Sequence, residues 1–177
     1  DPAEGADFIA QMAQFGTSEG IADLNKSMTS MTDYIKSSKA LDAAKLLGRE
    51  VQTQTEIGTL TDDNTITGSV EIPSGATNVK LTVQRFNGEL VDEVKLGDYL
   101  DGGMTAFGWD GIDGENARFP GGRYKFSVTA DLDGTNTALS TYISNVVGSV
   151  NLNANAETSV NVDNVGEVKL TDILTIK

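Results

Sequence analysis

The chain has 177 residues, a formal net charge of −13, no Cys and no His. So acidic a composition argues against nucleic acid and anionic membrane as partners, because both reward clustered Lys and Arg. Without Cys or His there is no disulfide framework, no thiolate zinc site, no Ser-His or Cys-His nucleophile pair, and no side chain that ordinarily titrates near neutrality. The length suits one ordinary domain or two small ones. No apolar run reaches the roughly 18 to 20 residues of a membrane span, so no membrane insertion is expected. The opening Asp1-Pro2, without Met, reads as the start of a fragment of a longer chain.

Residues from about 7 to 45 hold no proline, few β-branched residues, and apolar positions at helical spacing. Ile21, Leu24, Met28, Met31 and Ile35 fall at alternating steps of three and four, the pattern of a helix that meets another helix; Phe8, Met12 and Phe15 do the same upstream. Between them lies Gly16-Thr17-Ser18, where Thr17 or Ser18 would cap a new helix or sit inside a weakened one. The spacing therefore predicts one or two helices. The stripe either packs on the core of its own domain or protrudes and pairs with copies of itself or with another protein. Its narrowness, its Met content and the separate apolar faces of the chain that follows favour a protruding contact surface, since Met repacks readily against different partners.

From about Leu46 the period changes to two. Val51, Thr53, Thr55 and Ile57 alternate with polar residues, and the polar loop Thr61-Asp62-Asp63-Asn64 precedes Ile66, Val70 and Ile72. Val79, Leu81 and Val83 then run into a tight Asn87-Gly88 turn of the preferred hairpin type, with a return strand through Val91, Val94 and Leu96. Phe107 to Phe126 packs the only tryptophan, five glycines and a proline into twenty residues. Asp110-Gly111 and Asp113-Gly114 are turn dipeptides, and Pro120-Gly121-Gly122 is a further turn before the alternating strand Tyr124, Phe126, Val128 and Ala130. Trp109 is expected to face inward just before those turns. After the hairpin turn Asp133-Gly134 come Leu139, Thr141 and Ile143. Strands at this spacing suit a small sandwich.

The last forty residues keep a β pattern in shorter pieces. Val146-Val147, Val150 and Leu152, Val160-Asn161-Val162, a Val165-Gly166 turn, Val168-Lys169-Leu170 and Ile173-Leu174-Thr175-Ile176 suggest four or five short strands. Such strands manage their edges best as a small barrel. Closing it with one or two strands from 46–60 requires the middle sandwich to be inserted. The expected organisation is a helical segment over 1–45, a discontinuous barrel over 46–65 and 140–177, and a sandwich over 66–139.

The acidic turn from Asp110 to Asn116 invites a calcium reading, because Ca²⁺ takes several oxygens on a tight loop. It misses the alternate-position spacing of an EF-hand, as does the segment from Asp131 to Asn136, so turn chemistry is the better reading. A carboxylate pair on a cleft would suffice for glycoside hydrolysis, but an aromatic content of 6% makes a poor sugar platform. No phosphate-cradling glycine loop followed by Lys is present. No catalytic, metal or cofactor residue is assigned.

Two separated stretches resemble one known family. The helix phrase Phe8-Ile-Ala-Gln11-Met-Ala-Gln14-Phe15-Gly-Thr17-Ser-Glu19-Gly-Ile21-Ala-Asp-Leu24-Asn25 is similar to the signature of the flagellar hook-capping proteins, also called basal-body rod modification proteins. Asp1-Pro2-Ala3-Glu4 looks like the remnant of the segment that precedes that signature. Gly88, Gly102-Gly103, Phe107-x-Trp109-Asp110-Gly111, Asp113, Asn116, Pro120-x-Gly122-x-Tyr124 resembles the family's immunoglobulin-like module, and Leu46-Leu47-Gly48-Arg49-Glu50-Val51 its step into the next domain. The resemblance implies a mainly β fold with an N-terminal helical segment: a tudor-like small barrel with an inserted fibronectin-III-like sandwich. It also implies a scaffold exported through the flagellar type III apparatus to the distal end of the growing rod and hook, outside the cell. There it would promote assembly of hook subunits, as a homo-oligomeric cap absent from the finished flagellum. The contact surface expected on this reading is Phe8, Met12, Phe15, Ile21, Leu24, Met28, Met31 and Ile35. The other reading is an extracellular immunoglobulin-like module that binds carbohydrate or protein through its acidic loops.

Overall fold

Apolar spacing of three and four makes a helix with one buried or partnered side, and spacing of two makes a strand with one buried face. The change of period near residue 46 is accordingly the main structural boundary. The computed structural model describes residues 2–151 and 158–177; Asp1 and Leu152, used in the sequence reading, lie outside the described residues. The chain divides into two compact units, Asp1–Asp42 and Ala43–Lys177.

The first unit is formed by one α-helix, α1, which runs from Pro2 to Ala44, its last two residues belonging to the second unit. At about 1.5 Å per residue it is roughly 65 Å long. It passes through Gly16 and Gly20 without interruption, so the chain takes the single-helix alternative. Thr17 does not cap a helix: its hydroxyl donates to the carbonyl oxygen of Ala13 at 2.9 Å. Ser27, Thr29 and Thr32 donate in the same way to the carbonyls of Asp23, Asn25 and Met28. Such bonds give mid-helix hydroxyls a partner one turn back.

The second unit is built of antiparallel strands: β1 Glu50–Gln54, β2 Ile57–Leu60, β3 Ile66–Ile72, β4 Ala76–Arg85, β5 Leu90–Tyr99, β6 Gly103–Trp109, β7 Gly122–Leu132, β8 Thr135–Leu139, β9 Thr141–Asn151, β10 Ser159–Val162, β11 Gly166–Lys169 and β12 Thr175–Ile176. In one sheet β9 is central. One edge of β9 pairs with β1, and the other pairs first with β3, with Gly68 opposite Ile143, then with β10, with Val160 opposite Val150. Outside these lie β6 on β3, β12 on β1 and β11 on β10. In the other sheet β7 is central, with β4 and then β5 on one edge and β2 followed by β8 on the other.

Two hydrophobic cores result. The larger gathers Leu60, Val70, Leu81, Trp109, Phe126 and Ile143 with their neighbours. The smaller gathers Ala43, Leu46, Val51, Val147, Val160, Val162 and Val168. Strand β2, counted with the barrel in the sequence reading, pairs with β7 and buries Leu60 in the larger core. Its four residues carry no mark of which sheet they join; the pairing partner decides that.

The two glycine hairpins differ. At Asp133-Gly134 both residues have positive φ, 50° and 80°, and Leu132 lies opposite Thr135, so this is the two-residue mirror-image turn that matches strand twist. At Asn87-Gly88 only Gly88 has positive φ, 86°, and its N–H donates to the Arg85 carbonyl at 2.9 Å. That is an ordinary turn closed by a glycine bulge rather than the expected two-residue turn.

Candidate functional site

Two regions were singled out in the sequence, and the structure gives them different characters. Trp109 ends β6 with its side chain inward, 3% exposed, with ring centroids of Tyr124, Phe119 and Phe126 at 5.0, 5.8 and 5.8 Å. Its indole Nε1–H donates to Asp92 Oδ2 at 2.9 Å. The acidic turns that follow are occupied with their own backbone. Asp110 Oδ1 accepts from the N–H of Ile112, and Asp113 Oδ1 from the N–H groups of Glu115 and Ala117 at 3.0 and 2.8 Å. Arg118 closes the region from the side, its guanidinium donating to the carbonyls of Thr61, Asn64 and Asp110. Tyr124 Oη donates to the Pro120 carbonyl at 2.6 Å, pinning the second turn to the strand that leaves it.

Asp131, in the other segment considered for calcium, accepts from Asn136 Nδ2 at 2.9 Å and Asn78 Nδ2 at 3.0 Å. These bonds, Asn136 first, hold its carboxyl below the usual carboxylate value. Among the described residues no group of three or more His, Cys, Asp or Glu is placed to hold a metal ion. The Phe107–Phe126 stretch and the Asp131 loop are turn and core chemistry.

The helix has the opposite character. Phe8, Met12, Phe15, Ile21, Leu24, Met28, Met31 and Ile35 are all exposed, from 44% at Ile35 to 73% at Phe15. Leaving so much apolar surface to water is unfavourable at about 25 cal/mol per Å², which makes a contiguous apolar stripe a candidate contact surface. The eight residues do not share one side. With about 100° per residue on a continuous helix, Phe8, Met12 and Phe15 centre about 170° around the axis from Ile21, Leu24, Met28, Met31 and Ile35. Ile9, Tyr34 and Leu41, exposed as well, fall between the two. The spacings within each stripe were legible, but their relation depended on whether the helix ran unbroken through Gly16 and Gly20.

Sequence reasoning missed three tying contacts: Asp92 on Trp109, the Arg118 clamp, and Asn145, whose Nδ2 donates to the Ile57 carbonyl at 3.0 Å while its Oδ1 accepts from Asn164 Nδ2 at 2.9 Å. Each joins residues far apart in the chain, and no local spacing announces it.

A family model described as the FlgD Ig-like domain matches residues 55–134, the stretch from just before β2 to the β7–β8 turn. The chain is 30% identical over 142 residues to the basal-body rod modification protein FlgD of Escherichia coli (strain K12), covering 76% of this chain and 61% of that protein. It is 28% identical over 142 residues to the protein of the same name from Salmonella typhimurium, with the same 76% and 61% coverage. The chain thus spans about 61% of the length of these curated relatives. Among solved structures, FlgD from P. aeruginosa is 30% identical with a TM-score of 0.63, covering 72% of this chain and 96% of that one. FlgD from Xanthomonas campestris, whose structure is described in terms of hook capping essential for flagellar assembly, is 24% identical, with a TM-score of 0.64 and coverage of 78% and 99%; at that identity the likeness is one of fold. A shared Ig-like domain and 30% identity to a FlgD structure that it covers almost end to end show that the chain belongs to the FlgD family of basal-body rod modification proteins, the hook-capping family that its sequence resembles.

Proposed function

We propose that this chain is a scaffold at the tip of the growing flagellar hook, exported through the flagellar type III apparatus, where it promotes the assembly of hook subunits and is not retained in the finished flagellum. Its partners on this reading are hook subunits, the distal rod and other copies of itself. The observation that carries the proposal is a 43-residue helix with its Phe, Met, Ile and Leu side chains exposed, attached to a β unit of the FlgD family. A cap has to hold subunits while they dock and then move on, which favours several moderate, repackable contacts over one tight interface. Met at positions 12, 28 and 31 suits that task.

Within the β unit the same reading keeps the division of residues 46–65 and 140–177 as a tudor-like barrel and 66–139 as an inserted fibronectin-III-like sandwich, except that β2, paired with β7, goes with the sandwich. It is supported by the smaller core, which draws Val51 from one end of the unit and Val160 and Val168 from the other. The Tyr124 bond to Pro120 is also of the kind that tyrosine corners make in immunoglobulin-type sandwiches. The chemistry asks for no catalytic residue, metal or cofactor.

Deleting residues 1–40 tests the scaffold. Hook formation should be lost in cells carrying the deletion while the β unit, produced separately, keeps its strand-rich circular dichroism. Normal hooks in those cells would overturn the reading.

A further inference from the structure

The sheet around the smaller core stops short at one edge. Strand β12 pairs with β1 only at Val51 and Gln52, and the chain before it turns away through a short 3-10 helix at Leu170–Asp172. β1 runs on through Thr53 and Gln54, and among the described residues no strand covers it there. Alternation along β1 sends the backbone N–H and C=O of Gln54 to this open edge. The carbonyls of Glu50 and Gln52 accept on that side from the N–H groups of Lys177 and Leu174, whereas the Thr55 N–H donates to the Thr141 carbonyl on the β9 side.

A cleft of about 510 Å³ lies between this edge and the stretch from Val165 to Leu174. Thr53 lines it at 2% exposure, and its Oγ1 is buried without a hydrogen-bond partner, which holds for no other buried side-chain oxygen or nitrogen among the described residues. Thr53 shares a face of β1 with Val51, which packs in the smaller core with Val168 and Ile173, and both of those also line the cleft. The hydroxyl is therefore on the cleft side of the strand. Two carboxylates stand on the opposite wall, Glu167 on β11 and Asp172 at the end of the 3-10 turn; among the described residues no Lys or Arg lines the cleft. Each carboxylate bonds its neighbours through one oxygen: Glu167 Oε1 accepts from Ser159 and Asn151, and Asp172 Oδ1 from Thr171.

We propose that this cleft takes an extended segment of a partner protein that carries a basic side chain, its backbone meeting the Gln54 edge and its Lys or Arg reaching Glu167 and Asp172. An open strand edge is matched by another extended backbone, which brings its own donors and acceptors. Two carboxylates on a chain of net charge −13 attract a cation and repel an acidic segment. Val168 and Ile173 give the aliphatic stem of that side chain an apolar wall, so only its charged head needs to stay at the rim. The Thr53 hydroxyl, costly to bury alone, gains a partner when the segment enters. The inference does not rest on the scaffold reading, since none of these residues lies on α1.

The test titrates the whole ¹⁵N-labelled chain with the peptide acetyl-Thr-Val-Arg-Val-Thr-amide, followed by amide NMR, and repeats the titration with citrulline in place of Arg. Citrulline keeps the shape and removes the charge. At up to about 1 mM the arginine peptide should shift the amides of Thr53, Gln54, Asp172 and Ile173, and the citrulline peptide should bind at least about threefold more weakly. Asp172→Asn and Glu167→Gln, which keep acceptors for the bonds already made, should each weaken the arginine peptide about two- to fivefold. Thr53→Val, of the same shape without the hydroxyl, should weaken it as well while the urea midpoint of the chain stays level or rises. No shift at these amides, or equal binding of the two peptides, overturns the basic occupant. A Thr53→Val chain that unfolds at lower urea shows the hydroxyl to serve the fold instead, which overturns its part in the site. Each of those failures leaves the scaffold reading of α1 standing.

Discussion

Trp109 sits among three aromatic rings and still satisfies its indole N–H, through half-buried Asp92 on β5. Trp109 belongs to the β9-centred sheet and Asp92 to the β7-centred one, so the bond ties the two sheets along the side where β5 and β6 lie. Replacing Asp92 by Ala leaves a buried donor without its partner, a loss of about 1–3 kcal/mol, whereas Asp92→Asn keeps an acceptor and should cost less. Urea unfolding followed by the fluorescence of this single tryptophan measures both, and equal stability of wild type and Asp92→Ala would show the bond to be idle. Asp131 adds a pH dependence. Its folded carboxyl is held below its ordinary value, so its contribution to stability is present above that ordinary value and is lost as the pH falls through the lowered one. Asn136→Ala should move the Asp131 titration, read by carboxyl NMR, back up toward the ordinary value. The inward tryptophan was legible because Phe107 and Trp109 alternate along a strand that ends at turn residues. Asp92 was not, because its place opposite the indole is set by how two sheets stack.

At the scale of the element, α1 shows where local signals stop deciding. Glycine costs about 1 kcal/mol against alanine inside a helix, so Gly16 and Gly20 with Thr17 and Ser18 between them read equally as a break or a weak turn. The helix nonetheless runs through, and a Cβ added at either glycine would meet nothing within 4 Å. Gly16→Ala and Gly20→Ala should therefore each stabilise the helix by up to about 1 kcal/mol, visible as stronger helical circular dichroism and slower amide exchange across residues 12–24. Should either substitution lower helicity, a break at these glycines is the better account, and the opposed stripes would no longer follow. The strands were easier to read than the helix's continuity, because alternation marks each of them separately. What alternation does not mark is partnership, and β2 joined the sheet of β7 through pairing that only the folded chain displays.

At the scale of the whole β unit, one strand serves both cores: β9 places Ile143 in the larger and Val147, four residues on, in the smaller. The sequence reading divided this stretch, with Leu139, Thr141 and Ile143 on one side and Val146 and Val147 on the other, whereas Thr141, Ile143, Asn145 and Val147 are all buried in one unbroken alternation in which polar Asn145 takes an inward place. The structure carries the backbone straight through. Asn145, between the two, reinforces the join: it bonds the Ile57 carbonyl at the end of β2 and the Asn164 amide in the β10–β11 turn, and that amide also donates to Thr59 Oγ1 at 2.8 Å. A shared strand and a shared buried amide leave little surface along which the cores could part, so residues 43–177 should unfold as one cooperative unit. The sharpest test uses Trp109, which lies in the larger core, to report on the smaller one. Val147→Ala removes two buried methyl groups from a site 1% exposed, a loss of about 2 kcal/mol once the residual cavity is included. If the unit is cooperative, this substitution shifts the urea midpoint seen by Trp109 fluorescence as much as the midpoint seen by far-ultraviolet circular dichroism. If the cores melt separately, the tryptophan transition stays where it is and only the circular dichroism curve broadens. Asn145→Ala should then act as an intermediate case, destabilising both signals together while the strand remains intact, because β9 alone still carries the coupling.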